Sequence, residues 1–248
     1  MTRSTKSKKS IRDFDQMDKV NYFSQAEIKK FLEVIKGDPD DQLLFILGVE
    51  LGPRVNEVTS LEWKDLDWEN RIVRIWDEKK DRQRYCTIPE YVWVSLKKAW
   101  SRRIAKLEEM NAELKTQKKR SGVVKRRVSK SLRQRIPLWE SLIFPISYKT
   151  VNRKIKRWAA NAEVKRVDVD GKDIIRWHML RHTYVVQSRR RGRDWGFLAQ
   201  QTGNTVANLI ESYGKLSMED RIKITDETQI IPLKPEKTKR SRKSGGSR

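Results

Sequence analysis

The chain has 248 residues, 37% hydrophobic and 36% charged, with a formal net charge of +23 at neutral pH. That length supports one or two domains with a sizeable core, and the excess of cations points to a polyanionic partner, most simply nucleic acid. A single cysteine, Cys86, excludes an internal disulfide framework, no apolar run spans a bilayer, and the first ten residues lack the apolar stretch of a signal peptide. A soluble, intracellular chain with no membrane partner is expected.

The charge is concentrated. Residues 1–10 carry +4, residues 101–135 carry +10 and residues 234–248 carry +6, which leaves a nearly balanced body. Residues 1–20 are read as a basic flexible arm, and 232–248 as a basic disordered tail. Between them, Ser24 with Glu27 makes a capping box, and Ile28, Phe31, Leu32 and Ile35 line one face of a first helix closed by Gly37. A second helix is predicted over Asp40–Leu51, and a third, with Pro53 in its first turn, through Ser60. The period then changes to that of strands at 72–76 and 85–88, with 77–84 as their connecting turn. A long helix follows from Glu90 to about Arg120, with an apolar seam at Leu96, Trp100, Ile104, Leu107, Met110 and Leu114. Residues 121–135 lack a period and read as a flexible extension. Ordered structure resumes at 142–145, with a helix over Tyr148–Ala162 and a small hairpin over Val167–Ile174 turning at Asp170-Gly171. Further helices are predicted over 178–191, 194–201, 206–212 and 218–225.

Chemistry concentrates in a few residues. The chain has only two histidines, His178 and His182, flanking Arg181 in His178-Met179-Leu180-Arg181-His182. Spacing by three on a helix puts His178 and Arg181 on one face, where an imidazole and a guanidinium fork could meet one phosphate. Taken alone, so short a pattern is better read as two histidines that satisfy core hydrogen bonds. Arg54, in Gly52-Pro53-Arg54-Val55-Asn56-Glu57, is either an intrahelical partner of Glu57 or a group aimed into a cleft. Tyr213 could serve as a packing residue or as a nucleophile.

The order of these blocks resembles the tyrosine recombinase (phage integrase) family over roughly residues 22–228. Gly48 through Asp67, around Leu51-Gly52-Pro53-Arg54, is similar to the family's first arginine block. The strand pair at 72–88 is similar to the hairpin that carries its catalytic lysine. His178-Met179-Leu180-Arg181-His182-Thr183 is similar to its His-x-x-Arg-His. Leu198 through Asn204, followed nine residues later by Tyr213, resembles its Gly-His block and nucleophile. The resemblance implies a mainly α catalytic domain with a small antiparallel hairpin or sheet, an α+β fold, over residues 21–231.

By that resemblance Tyr213 attacks a DNA phosphodiester, giving a 3′-phosphotyrosine and a free 5′-hydroxyl. Arg54 and Arg181 clamp the non-bridging oxygens, His178 assists proton transfer, and Lys79 or Lys80 protonates the leaving oxygen. Glu57 buttresses the arginine block and His182 supports. Asn204 stands where the family has histidine or tryptophan; it can bond a phosphate oxygen but cannot act as a charged acid. No metal, cofactor or ATP is implied. The basic insertion at about 101–135 is expected to grip double-stranded DNA through Arg102, Arg103, Lys118, Lys119, Arg120, Lys125, Arg126 and Arg127. Self-association on DNA as a dimer or tetramer, absence of the family's amino-terminal core-binding domain, and a virus, plasmid or other mobile element as setting complete the expectation. Ile222, Ile224, Ile230 and Ile231 pack either on a neighbour or on their own domain. Three alternatives stand beside it: type IB topoisomerase-like relaxation, a non-catalytic DNA-binding regulator of the same fold, and a basic RNA- or chromatin-binding protein.

Overall fold

The computed structural model describes residues 22–77, 81–117, 140–168 and 170–214 together with Pro137, and of 114–117 the backbone alone. The fold brings three distant blocks of sequence to one place. Helix α1 (Gln25–Ile35) begins at the expected capping box: Ser24 Oγ accepts from the Glu27 N–H, and the Glu27 carboxylate accepts from the Ser24 N–H at 2.8 Å. Its apolar stripe buries Ile28, Phe31 and Ile35. Helix α2 (Pro39–Leu51) is apolar nearly all round and buried on several sides, with Asp38 capping its first turn. Asp41, at its start, holds helix α5 (Tyr148–Asn161) by accepting from Trp158 Nε1 at 2.9 Å and from Lys154.

The other end of α2 builds the site. Gly48 lets helix α6 (His178–Arg190) approach closely, since a Cβ there would lie 2.5 Å from Leu180 Cδ1. Gly52 then closes α2 in the left-handed conformation (φ 58°), which a side chain would strain. The Trp177 indole N–H donates to the Pro53 carbonyl at 2.9 Å, fixing the start of α6 beside the Gly52-Pro53-Arg54 turn. Pro53 lies outside the next helix, contrary to the sequence reading. Arg54 is extended (φ −65°, ψ 157°) and caps the short α3 (Val55–Thr59), because the Glu57 carboxylate turns back to accept its N–H at 2.7 Å.

The sheet is larger and longer-stranded than expected. Strands β1 (Leu66–Asp67), β2 (Ile72–Asp77) and β3 (Arg82–Thr87) form an antiparallel sheet in the order β1-β2-β3, with Arg74 opposite Tyr85 and Asp77 opposite Arg82. Residues assigned to the turn, Asp77 and Arg82 to Arg84, are therefore strand. The inward face simply continues from Val73 and Ile75 to Asp77, and from Cys86 to Arg84, with charged side chains at the end nearest the site.

Helix α4 (Glu90–Gln117) confirms the long helix but not its seam: Leu96 and Met110 are buried, whereas Ile104 is exposed and its neighbour Arg103 turns inward. The reason is a cluster of Trp63, Trp68, Trp93 and Trp100, with the Arg103 guanidinium over the Trp63 ring at 5.6 Å. The segment 167–174 makes one bridge, Val167 to Asp173, not a strand pair. The backbone still bonds across it, Asp168 N–H to the Lys172 carbonyl at 3.0 Å and Ile174 N–H to the Arg166 carbonyl at 3.1 Å, and the Asp168 carboxylate braces the turn by accepting from the N–H groups of Asp170 and Lys172. Helices α7 (Trp195–Thr202) and α8 (Val206–Tyr213) finish the described chain. The arm, residues 121–135, the tail and the helix expected at 218–225, with its isoleucines, lie outside the described residues.

Candidate active site

Arg54, Glu57, His178, His182, Arg181 and Tyr213 come together from three elements, α3 with its cap, α6 and α8. Glu57 is the hub. It is buried, and its two oxygens take the fork of Arg84 at 2.8 and 2.7 Å while Oε1 also accepts from Arg54 Nη1 at 2.8 Å. Arg54 Nη1 reaches a second carboxylate, Asp77, at 3.0 Å. Burial by itself would raise the Glu57 pKa; the Arg84 fork and then the Arg54 N–H outweigh it and hold the carboxyl below its ordinary range. Arg84 also donates from Nε to the Gln201 carbonyl at 3.0 Å, and Cys86 Sγ donates to the same oxygen. Gln201 Nε2 answers by donating to Thr87 Oγ1 at 2.9 Å, so β3 is fastened to the end of α7.

Arg181 is 2% exposed. Its Nη1 donates to the Gly52 carbonyl at 2.9 Å and its Nη2 to the Thr202 carbonyl. Those carbonyls lie two residues before Arg54 and two before Asn204, so one side chain spans the first arginine block and the α7–α8 turn. Burial, and then the charge of Arg54, lower its pKa to about 10, which leaves it a cation at neutral pH.

The histidines form the other wall. His178 opens α6 and keeps an exposed edge, and His182 follows one turn later with ring centroids 4.6 Å apart, edge to face. The Tyr213 ring lies 5.4 Å from that of His182. Packing around His178, then Arg181 and Arg54, lowers its pKa; for His182 burial, then His178 and Arg181, bring it down to about 4. Both are neutral imidazoles at pH 7. Burial raises the Tyr213 pKa, against a lowering by Arg181, so the phenol keeps its proton. Tyr213 is the last residue of α8, one beyond the boundary read from sequence.

A cavity of about 420 Å³ opens beside Arg54 and His178 and is lined further by Asn56, Trp76, Asn152 and Arg176. Asn204 borders a different cavity, about 470 Å³, with Arg82, Arg84, Tyr85 and Gln200. Sequence reasoning missed Asp77 and Arg84 as site residues. The signal was available: both continue the inward-facing alternation of their strands. Trp76, Asn152 and Arg176 carried no such signal.

Lys79 and Lys80 lie outside the described residues, as do Lys118, Lys119, Arg120, Lys125, Arg126 and Arg127. Arg102 is exposed and paired with Asp40 at 3.0 Å. Arg103 corrects the expectation of a DNA contact: it is buried and donates to the carbonyls of Leu142 and Ile143 at 2.8 Å each, tying α4 to that loop. Among the described residues no group of three His, Cys, Asp or Glu side chains is placed to hold a metal, and no helix is long and apolar enough to cross a membrane.

Known proteins resemble this chain in sequence and fold. The phage integrase family matches residues 21–220. The tyrosine recombinase XerA of Saccharolobus solfataricus is 24% identical over 201 residues, covering 81% of this chain and 54% of the relative. XerA of Thermococcus onnurineus is 23% identical over 209 residues, covering 84% of this chain and 62% of the relative. The chain thus spans little more than half the length of these relatives. In fold it is similar to the crystal structure of XerA recombinase (TM-score 0.60, 19% identity, 84% of this chain and 65% of that one). It is also similar to the Tn1549 transposon integrase in complex with transposon right end DNA (TM-score 0.56, 15% identity, 83% and 65%). With four-fifths of its length matched and the fold shared, the chain belongs to the phage integrase family.

Proposed function

We propose that this chain is the catalytic part of a site-specific DNA recombinase that cleaves and rejoins double-stranded DNA through Tyr213. In the proposed step the Tyr213 oxygen bonds to phosphorus as the bond to the 5′ oxygen breaks, leaving a 3′-phosphotyrosine. The phenol proton passes to neutral His178, directly or through water, and the leaving oxygen takes a proton from Lys79 or Lys80. Arg54 and Arg181 hold the non-bridging oxygens, where fixed cations stabilise the charge that develops. The phosphodiester's energy is kept in the covalent link, so a second 5′-hydroxyl can reverse the step on another strand without ATP or metal. Copies of the chain would pair on the DNA to bring two strands within reach.

The observation that best supports this reading is the way Arg181 is held. It bridges the carbonyls of Gly52 and Thr202 while Tyr213 stands against His182, so blocks far apart in sequence meet at one cation-lined point. The test is covalent capture on a nicked duplex that traps the cleaved strand. The native chain should give a protein–DNA adduct on a denaturing gel, and Tyr213→Phe should give none while retaining duplex binding. An adduct with the Phe variant removes Tyr213 from the role.

A second reading, a DNA-binding regulator that keeps the fold without the reaction, is favoured by the near-complete burial of Arg181 and by Asn204. It requires that the native chain bind duplex yet form no adduct in the same assay.

A further inference from the structure

We propose that Arg84 is a positioning residue for the cleavage step, an inference that rests on the recombinase reading above: it fixes the guanidinium of Arg54 through Glu57 and locks β3 to the α7–α8 turn that carries Asn204. In the sequence Arg84 falls in the turn read between the two strands. In the structure it is buried in a charge cluster that it organises.

The geometry explains why the cluster needs it. Glu57 would offer a lone neighbouring arginine both oxygens, and Arg54 would close on it as a bidentate pair. Arg84 occupies both oxygens, with Nη1 on Oε1 and Nη2 on Oε2, so Arg54 is left a single share of Oε1 and leans on Asp77 with the same nitrogen. Among the described residues Arg54 Nε and Nη2 donate to nothing, and Arg54 lines the 420 Å³ cavity. A phosphate entering there meets two open donors at a fixed angle. Arg84 is 8% exposed and does not line that cavity, so it acts through Arg54.

Charge makes the same point. The cluster holds three guanidiniums, Arg54, Arg84 and Arg181, against two carboxylates, Glu57 and Asp77. The excess of one positive charge matches one phosphodiester. Without Arg84 the two carboxylates, Glu57 and Asp77, would offset the charges of Arg54 and Arg181 in full, and the cluster's positive excess would be lost. The third role is mechanical. Arg84 Nε holds the Gln201 carbonyl, and Gly203, left-handed at φ 69°, packs on the Arg84 stem, where a Cβ would lie 3.2 Å from Cδ. Lysine supplies the charge but not the planar fork that makes these three bonds at once.

Arg84→Ala would strand a buried carboxylate, so the test uses Arg84→Lys and the paired Glu57→Gln/Arg84→Met, which removes both buried charges. Single-turnover adduct formation should slow by about 30- to 100-fold in R84K, as expected when a reacting group is misplaced by an ångström or so, while duplex affinity stays within about threefold. The paired variant should be at least as slow as R84K. In an Arg54→Ala background R84K should slow the step far less than in the native chain, since the larger part of its effect passes through Arg54. Equal slowing in both backgrounds, or wild-type rates in R84K or in the pair, overturns the proposal. A readout without DNA separates it from the reaction itself: the Arg54 Nε–H resonance in a 15N NMR spectrum should move in R84K. An unmoved resonance overturns the positioning role whether or not the native chain cleaves DNA, whereas a native chain with no Tyr213-dependent adduct rejects only the recombinase reading.

Discussion

The two walls of the site are built to different standards. The arginine wall draws Arg54, Glu57, Asp77, Arg84 and Gln201 from α3, β2, β3 and α7 and ties each to at least one of the others. The tyrosine wall is an eight-residue helix in which Leu209 alone is buried, with Val206 and Ile210 exposed and Tyr213 resting against His182. A charge-stabilising site gains most when its dipoles need no rearrangement during the reaction. A helix with so little buried surface opens at low cost. The difference teaches that this fold fixes the arginine cluster and holds Tyr213 lightly.

The largest effect should come from breaking that cluster. Glu57→Ala leaves Arg84 buried without its carboxylate, and removing one partner of a buried pair costs about 3–5 kcal/mol. Urea unfolding of the variant should show that loss, and adduct formation should disappear with it. A variant within about 1 kcal/mol of the native chain would mean the cluster is no more than a solvated ion pair, and the contrast between the walls would fall.

Both walls were legible in the sequence to different degrees, and the reason is physical. Helix α1 was readable because its capping box and apolar stripe are local rules. The His178, Arg181 and Tyr213 blocks were readable through their order. Asp77 and Arg84 were passed over, because a charged residue beside an expected turn is read as surface unless its partner is known, and their partners, Arg54 and Glu57, are remote in sequence. Arg103 failed for the same reason: its partners are backbone carbonyls near residue 142, which no side-chain pattern announces. Pro53 failed by two residues because the extended backbone at Arg54 depends on a bond to Glu57, not on proline's preference for a first turn.

Acid should separate the walls next. His182 is neutral in the fold down to about pH 4, while in the unfolded chain it takes up a proton below about 6.5. The unfolded state then binds more protons, so His182 lowers stability progressively as pH falls from 6.5 towards 4, by at most about 3 kcal/mol. Glu57, whose folded pKa is depressed below 4.5, contributes stability above that value and loses it only as pH falls further. Urea unfolding at pH 7, 6 and 5 should therefore show a slope that His182→Gln flattens and that Glu57 variants leave in place. A slope unchanged in His182→Gln would assign the acid response to other groups.

The smallest effect belongs at the joint between the walls. Asn204 follows Gly203, whose carbonyl accepts from Arg82 at 3.4 Å, and it precedes the Thr205 cap of α8. On the recombinase reading a change there acts on a contact to the phosphate, and the hydrogen bonds described for the two walls do not use its side chain. An amide donates a neutral hydrogen bond, whereas a protonated imidazole donates a charge-assisted one about twice as strong. Asn204→His should raise the single-turnover rate by about three- to tenfold near pH 6 and by less at pH 8, where the imidazole is neutral. Equal gains at both pH values would show that shape, not charge, limits this position. A loss at both would mean that the amide is already fitted to a site in which Arg54, Arg84 and Arg181 supply all the positive charge the phosphate needs.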